Sequence, residues 1–94
     1  MARREVMIGS RVGLHARPAA LFVQAATATG LPVRISKGGA ASVDARSMLG
    51  VLALGALNGD TVVLESDGDG ADAALDDLVA LLVQDLDEPV TADG

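Results

Sequence analysis

The stretch VGLHARPAALFVQAATATGLP, Val12 to Pro32, decides how the chain begins to fold. Phe22, Val23 and Ala26 recur at helical spacing, with Ala19 one turn before Phe22. Gly30 is the residue type that ends a helix, and Pro32 lies just beyond it. Pro18 fits such a helix only in the first turn, where its missing N–H has no partner to lose. The helix therefore starts near Ala16, within a residue or two of His15, the one histidine of the chain.

The flanking segments alternate instead. Glu5-Val6-Met7-Ile8 reads as a short strand with Val6 and Ile8 on one face, followed by a loop over 9–14. Residues 33–37 read as a second strand with Val33 and Ile35 inward. Gly38-Gly39 marks a turn, and a weaker strand around 41–43 returns as a hairpin. Ser47 is a good N-cap for an apolar segment that Gly50 and Gly55 weaken, so a short helix is expected there. Asn58-Gly59-Asp60 is a turn, and 61–66 is a strand with Val62 and Leu64 on one face.

A last helix leads in from Asp69 or Gly70 and reaches about Asp87. Leu75, Leu78, Leu82 and Leu86 form its stripe with Val79 beside it, and Asp72, Asp76, Asp77 and Asp85 face solvent. Acids in the first turns suit the helix dipole. Pro89 ends the pattern, leaving 89–94 as a frayed tail. The order βαββαβα, without repeat or linker, predicts one α+β domain over 1–88: a four-stranded antiparallel sheet with three helices packed on one face.

Composition narrows the function. A chain of 94 residues supports one modest core, burying roughly 60–65% of its unfolded surface. Phe22 is the only aromatic residue, so no platform exists for stacking bases. Without cysteine there is neither a disulfide nor a thiolate metal site, and a single histidine does not make a zinc site. No cofactor is expected. The N-terminus lacks the apolar core of a signal peptide, and the longest apolar run, 49–57, is too short to span a bilayer. A soluble, cytoplasmic, monomeric protein without membrane insertion is the expectation.

All seven basic residues lie in 1–46 with two acids, a net of +5, whereas 47–94 hold eleven acids and no cation. Nucleic acid is a poor partner for such a chain, but an acidic protein would be steered to the basic part. The acidic loop 67–72 is not a calcium site, because Ala71, Asp72 and Leu78 occupy positions where ligands and a glycine are required.

A helix start at His15 has chemical consequences. The first amides of a helix lack internal partners and favour an anion. Arg17 adds a full charge and a forked donor suited to phosphate. His15 at this mouth is a candidate nucleophile, with the amides of Ala16 and Arg17 to hold phosphate oxygens. Phosphoryl transfer needs mainly positioning and charge stabilisation, which a small domain can supply. The plainer reading makes His15 a cap or surface residue of a non-catalytic, anion-binding α+β module. No serine or carboxylate pairs visibly with His15, so a hydrolytic triad has no support.

Gly13-Leu14-His15-Ala16-Arg17-Pro18-Ala19 resembles the active-site motif of the HPr family, the histidine-containing phosphocarriers of the bacterial sugar phosphotransferase system. Ala45-Arg46-Ser47-Met48-Leu49-Gly50-Val51, with Leu54-Gly55, resembles that family's second motif, in register with the first over residues 1 to about 88. The resemblance implies an open-faced β-sandwich and a carrier rather than an enzyme. It implies that His15 takes phosphate on Nδ1 from Enzyme I and passes it to IIA domains of sugar permeases, assisted by Arg17. It further implies a partner surface at Ala20, Met48, Leu49, Leu52 and Gly55, where Leu52 also reads as core. Ser47 matches a serine phosphorylated by a regulatory kinase (HPr kinase/phosphorylase) in many members, although a plain N-cap serine is the favoured reading here. Arg11-Val12 and the missing lysine after Arg46 depart from the pattern. A nitrogen-related carrier with the same histidine motif is the nearest alternative.

Overall fold

A computed structural model describes residues 2–11, 13–38 and 41–84. Its elements run β1 (Ala2–Met7), α1 (Ala16–Ala28), β2 (Arg34–Lys37), β3 (Val43–Asp44), α2 (Met48–Ala53), β4 (Thr61–Ser66) and α3 (Ala71–Leu82). The four strands form one antiparallel sheet in the order β1-β4-β2-β3. The expected βαββαβα order and α+β class are those observed.

Strand alternation divides the sheet into two faces. Val6, Val62, Leu64, Val33 and Ile35 turn toward the helices and are buried. Arg3, Glu5 and Glu65 stand on the open side, where Arg3 lies within 4 Å of both acids. From α1 come Ala19, Phe22 and Ala26, and from α3 come Leu75, Leu78 and Leu82, all in the same core. Phe22, Ile35 and Leu64 are wholly enclosed, each worth about 1.5–3 kcal/mol over exposure.

The helix ends follow local chemistry. Pro18 is the third residue of α1 and is buried. Gly30, at φ 71°, ends α1 in the left-handed region, and its N–H donates to the Thr27 carbonyl. The Ser47 hydroxyl oxygen accepts from the Gly50 N–H at 3.1 Å and starts α2.

Four elements have boundaries that differ from expectation, and β1 also ends at Met7 rather than Ile8. β1 begins at Ala2 rather than Glu5, because Arg3 and Arg4 pair in register with Glu65 and Leu64 of a β4 long enough to extend the ladder. β2 begins at Arg34 rather than Val33, although Val33 is buried as expected. β3 is displaced from 41–43 to Val43–Asp44, since the Arg34 guanidinium donates to the Ser42 hydroxyl at 2.8 Å and to its carbonyl at 3.0 Å. These side-chain bonds take the place of a ladder bond. α3 ends at Leu82, not near Asp87, because the Leu82 carbonyl accepts from the Gly9 N–H at 2.9 Å. Gly39, residues 85–88 with Asp85, Leu86 and Asp87, and the expected tail over 89–94 lie outside the described residues.

That last hydrogen bond requires a glycine. A Cβ on Gly9 would collide with the Val83 carbonyl group, reaching its carbon at 2.6 Å. Gly9→Ala must push the end of α3 off the loop, and we expect it to cost about 1–3 kcal/mol. Thermal unfolding measures this, and a wild-type midpoint would show that the end of α3 yields freely.

Candidate functional site

His15 stands at the N-cap of α1 with extended backbone angles, φ −144° and ψ 157°. Its side chain is exposed and makes no cap hydrogen bond. A capping role for the imidazole is therefore not what the fold uses. The next residue, Ala16, has φ 50° and is the one non-glycine residue with positive φ among those described. A left-handed alanine costs about 1–2 kcal/mol, and strain of this kind clusters at functional sites. The sequence placed a regular helix start here; the geometry bends the chain sharply between His15 and the helix proper.

Arg17 is exposed, and no ion pair with a described residue ties it down. Because Pro18 has no N–H, Ala16 and Arg17 carry the amide donors of the first turn nearest His15.

The loop bearing this site leans on a second loop, 54–60. The Leu14 N–H donates to the Ala56 carbonyl at 2.8 Å, which brings the neighbouring Gly55 to the His15 loop. Gly13, at φ 73°, has no room for a side chain: a Cβ would strike the Ala56 carbonyl and approach Leu57 Cα to 2.7 Å. Within the His15 loop, the Gly13 N–H donates to the Ser10 carbonyl at 3.0 Å. The Ser10 hydroxyl is buried and finds no hydrogen-bond partner among the described residues.

The expected partner surface is unevenly exposed. Leu49 is 81% exposed and Met48 36%, and Gly55 is exposed at φ 63°. Ala20 is half-buried. Leu52 is also half-buried and packs against the core, so it divides between the two roles weighed for it. α2 packs on α1, which sets this apolar surface beside the helix that His15 begins. Leu57, 62% exposed and next to Gly13, extends the patch and is not legible from periodicity.

Next to Ser47, the Asp44 carboxylate accepts from both the Arg46 guanidinium and the Arg46 backbone N–H. Arg46 thereby holds Asp44 below the usual carboxylate range. The cation is locally neutralised, so Arg17 stands as the charge nearest His15 in sequence. Lys37 and Asp60 belong to no sequence motif, yet Lys37 reaches Asp60 at the end of the 54–60 loop at 3.3 Å. The signal was present, since Lys37 continues the inward positions of Val33 and Ile35.

The family model described as "PTS HPr component phosphorylation site" matches residues 2–84. The chain belongs to the HPr family. Phosphocarrier protein HPr of Streptomyces coelicolor is 54% identical over 88 residues, spanning 94% of this chain and 95% of that protein. The HPr-like protein Crh of Bacillus subtilis is 35% identical over 86 residues, 92% of this chain and 100% of its own. The crystal structure of HPr-C-His from Thermoanaerobacter tengcongensis superposes with a TM-score of 0.86 at 36% identity, covering 96% of this chain and 100% of that one. As a member of this family, the chain belongs with the phosphocarriers, which are carriers rather than enzymes. Among the described residues, no helix is long and apolar enough to cross a membrane.

Proposed function

We propose that His15 accepts a phosphoryl group from phosphorylated Enzyme I and donates it to IIA domains during phosphoenolpyruvate-dependent sugar uptake in the cytoplasm. The observation that carries this reading is the exposed His15 side chain, free of any cap bond, at the start of α1, two residues from an exposed Arg17 that forms no ion pair with a described residue. The Nδ1 lone pair attacks phosphorus in line, so the new N–P bond forms as the bond to the donor breaks. The donor's nitrogen leaves with the electron pair. The amides of Ala16 and Arg17, with the Arg17 guanidinium, take up the charge on the phosphoryl oxygens.

Partners dock as monomer to monomer on Ala20, Met48, Leu49, Leu52 and Gly55, a small apolar surface suited to a transient encounter. The acids that flank a partner's active residue would meet Arg17. Ser47 serves α2 as its cap; phosphorylation by an HPr kinase/phosphorylase would add nearly two negative charges beside that surface and repel acidic partners.

Incubation with phosphoenolpyruvate and Enzyme I should add one phosphoryl group by mass, labile in acid and stable in alkali. Arg17→Ala should fold normally and be phosphorylated at least about tenfold more slowly. No added mass on the wild-type chain would overturn the reading. Phosphorylation only by the Enzyme I of a nitrogen-related system would move the protein to that branch.

A further inference from the structure

Lys37, the only lysine of the chain, is the last residue of β2. It lies opposite Val62 in the ladder, two residues beyond Ile35, so its side chain leaves the sheet on the helix-covered side. There its Nζ donates to the Gly55 carbonyl at 3.1 Å and stands 3.3 Å from Asp60 Oδ2. The same Asp60 oxygen accepts from the Leu57 N–H at 2.9 Å. Lys37 therefore joins both ends of the 55–60 segment to the sheet.

That segment grips the His15 loop on both sides. At one side, the Ile8 N–H donates to the Asp60 carbonyl at 2.9 Å and the Gly59 N–H to the Ile8 carbonyl at 3.0 Å. At the other, Ala56 holds the Leu14 N–H at 2.8 Å, one residue from His15. The 57–60 turn is closed by the Asp60 N–H donating to the Leu57 carbonyl at 2.9 Å, and the Asn58 amide donates to the Ile8 carbonyl at 3.3 Å. On the Ala56 side the segment enters through Gly55 at φ 63°, the more permissive end. The Lys37 bond to the Gly55 carbonyl is a side-chain tie from the sheet to the residue next to Ala56.

We propose that Lys37 and Asp60 are positioning residues for phosphoryl transfer: their ion pair braces the 55–60 segment, which sets Leu14 and so aims His15. The inference rests on the reading of His15 as the phosphate acceptor. Neither residue touches the phosphoryl group. The Leu57 N–H first, and Lys37 after it, hold the Asp60 carboxyl below its ordinary range, as a charged anchor requires. Both side chains are about a third exposed, and such pairs contribute little to global stability. Their effect is expected in local order instead.

The test combines amide exchange with transfer kinetics on Lys37→Met, Asp60→Asn and Lys37→Arg. In the first two, the Leu14 amide should exchange about tenfold faster while the Leu64 amide of β4 is unchanged. The kcat of Enzyme I toward these variants should fall at least about threefold with KM within about twofold, since a small misplacement of the reacting atom acts on the transfer step. Lys37→Arg should restore both. Should Lys37→Met fail to fold, Asp60→Asn carries the same measurements. Wild-type exchange at Leu14, unchanged kcat, or equal acceleration at Leu14 and Leu64 would each overturn the brace. If the wild-type chain takes no phosphate, the reading of His15 falls, and the Leu14 exchange still decides whether the brace exists.

Discussion

His15→Ala should carry no phosphoryl group after incubation with phosphoenolpyruvate and Enzyme I, and should unfold at the wild-type temperature. The two halves of this result have separate causes. The imidazole is exposed and makes no cap hydrogen bond, so its removal leaves the core and the helix start intact. The extended backbone at this position suits alanine as well as histidine. The expected change in stability is within about 0.5 kcal/mol. The chemistry has no substitute, because the chain holds no second histidine and no cysteine. Mass spectrometry with circular dichroism melting reads both halves. An acid-labile phosphoryl group on the variant would remove His15 from the mechanism. An acid-stable one would point to a hydroxyl such as Ser47 and to a contaminating kinase.

What was legible in the chain was what neighbouring residues decide among themselves. Pro18 and Gly30 bracket α1 because one forbids an interior position and the other permits a left-handed stop. Ser47 announces α2 because its cap reaches only three residues on. The Leu75, Leu78, Leu82 stripe and the Val62, Leu64 pair show their buried faces by period alone. Features set by the meeting of distant segments were not legible. The left-handed Ala16 follows no propensity, since an alanine gives no sign of positive φ. β3 sits where the Arg34 side chain leaves room for a ladder, and α3 stops where Gly9 claims its carbonyl. The motif around His15 singles out the proposed acceptor, but the support of its loop comes from Ala56, over 40 positions away, which no local pattern connects to it.

That support makes Gly13 the most sensitive position near the site. Gly13→Ala meets two obstacles that add. Its φ of 73° is a left-handed conformation, costing an alanine about 1–2 kcal/mol. The new methyl would also run into the Ala56 carbonyl and come within 2.7 Å of Leu57 Cα. Both neighbours are backbone and cannot swing aside as a side chain would. Forcing them apart adds about 1–3 kcal/mol, so the loss is about 2–5 kcal/mol, at about 4–8 °C per kcal/mol in a domain of this size. The displacement acts on the Leu14–Ala56 hydrogen bond, one residue from His15, so the rate of phosphoryl transfer should fall by up to about a hundredfold. Gly30→Ala separates the causes. Gly30 has nearly the same φ, 71°, but nothing within 4 Å of an added Cβ. It should lose about 1–2 kcal/mol from strain alone and transfer phosphate at the wild-type rate. If Gly13→Ala melts like Gly30→Ala and transfers like the wild type, the contact between the two loops does not position His15.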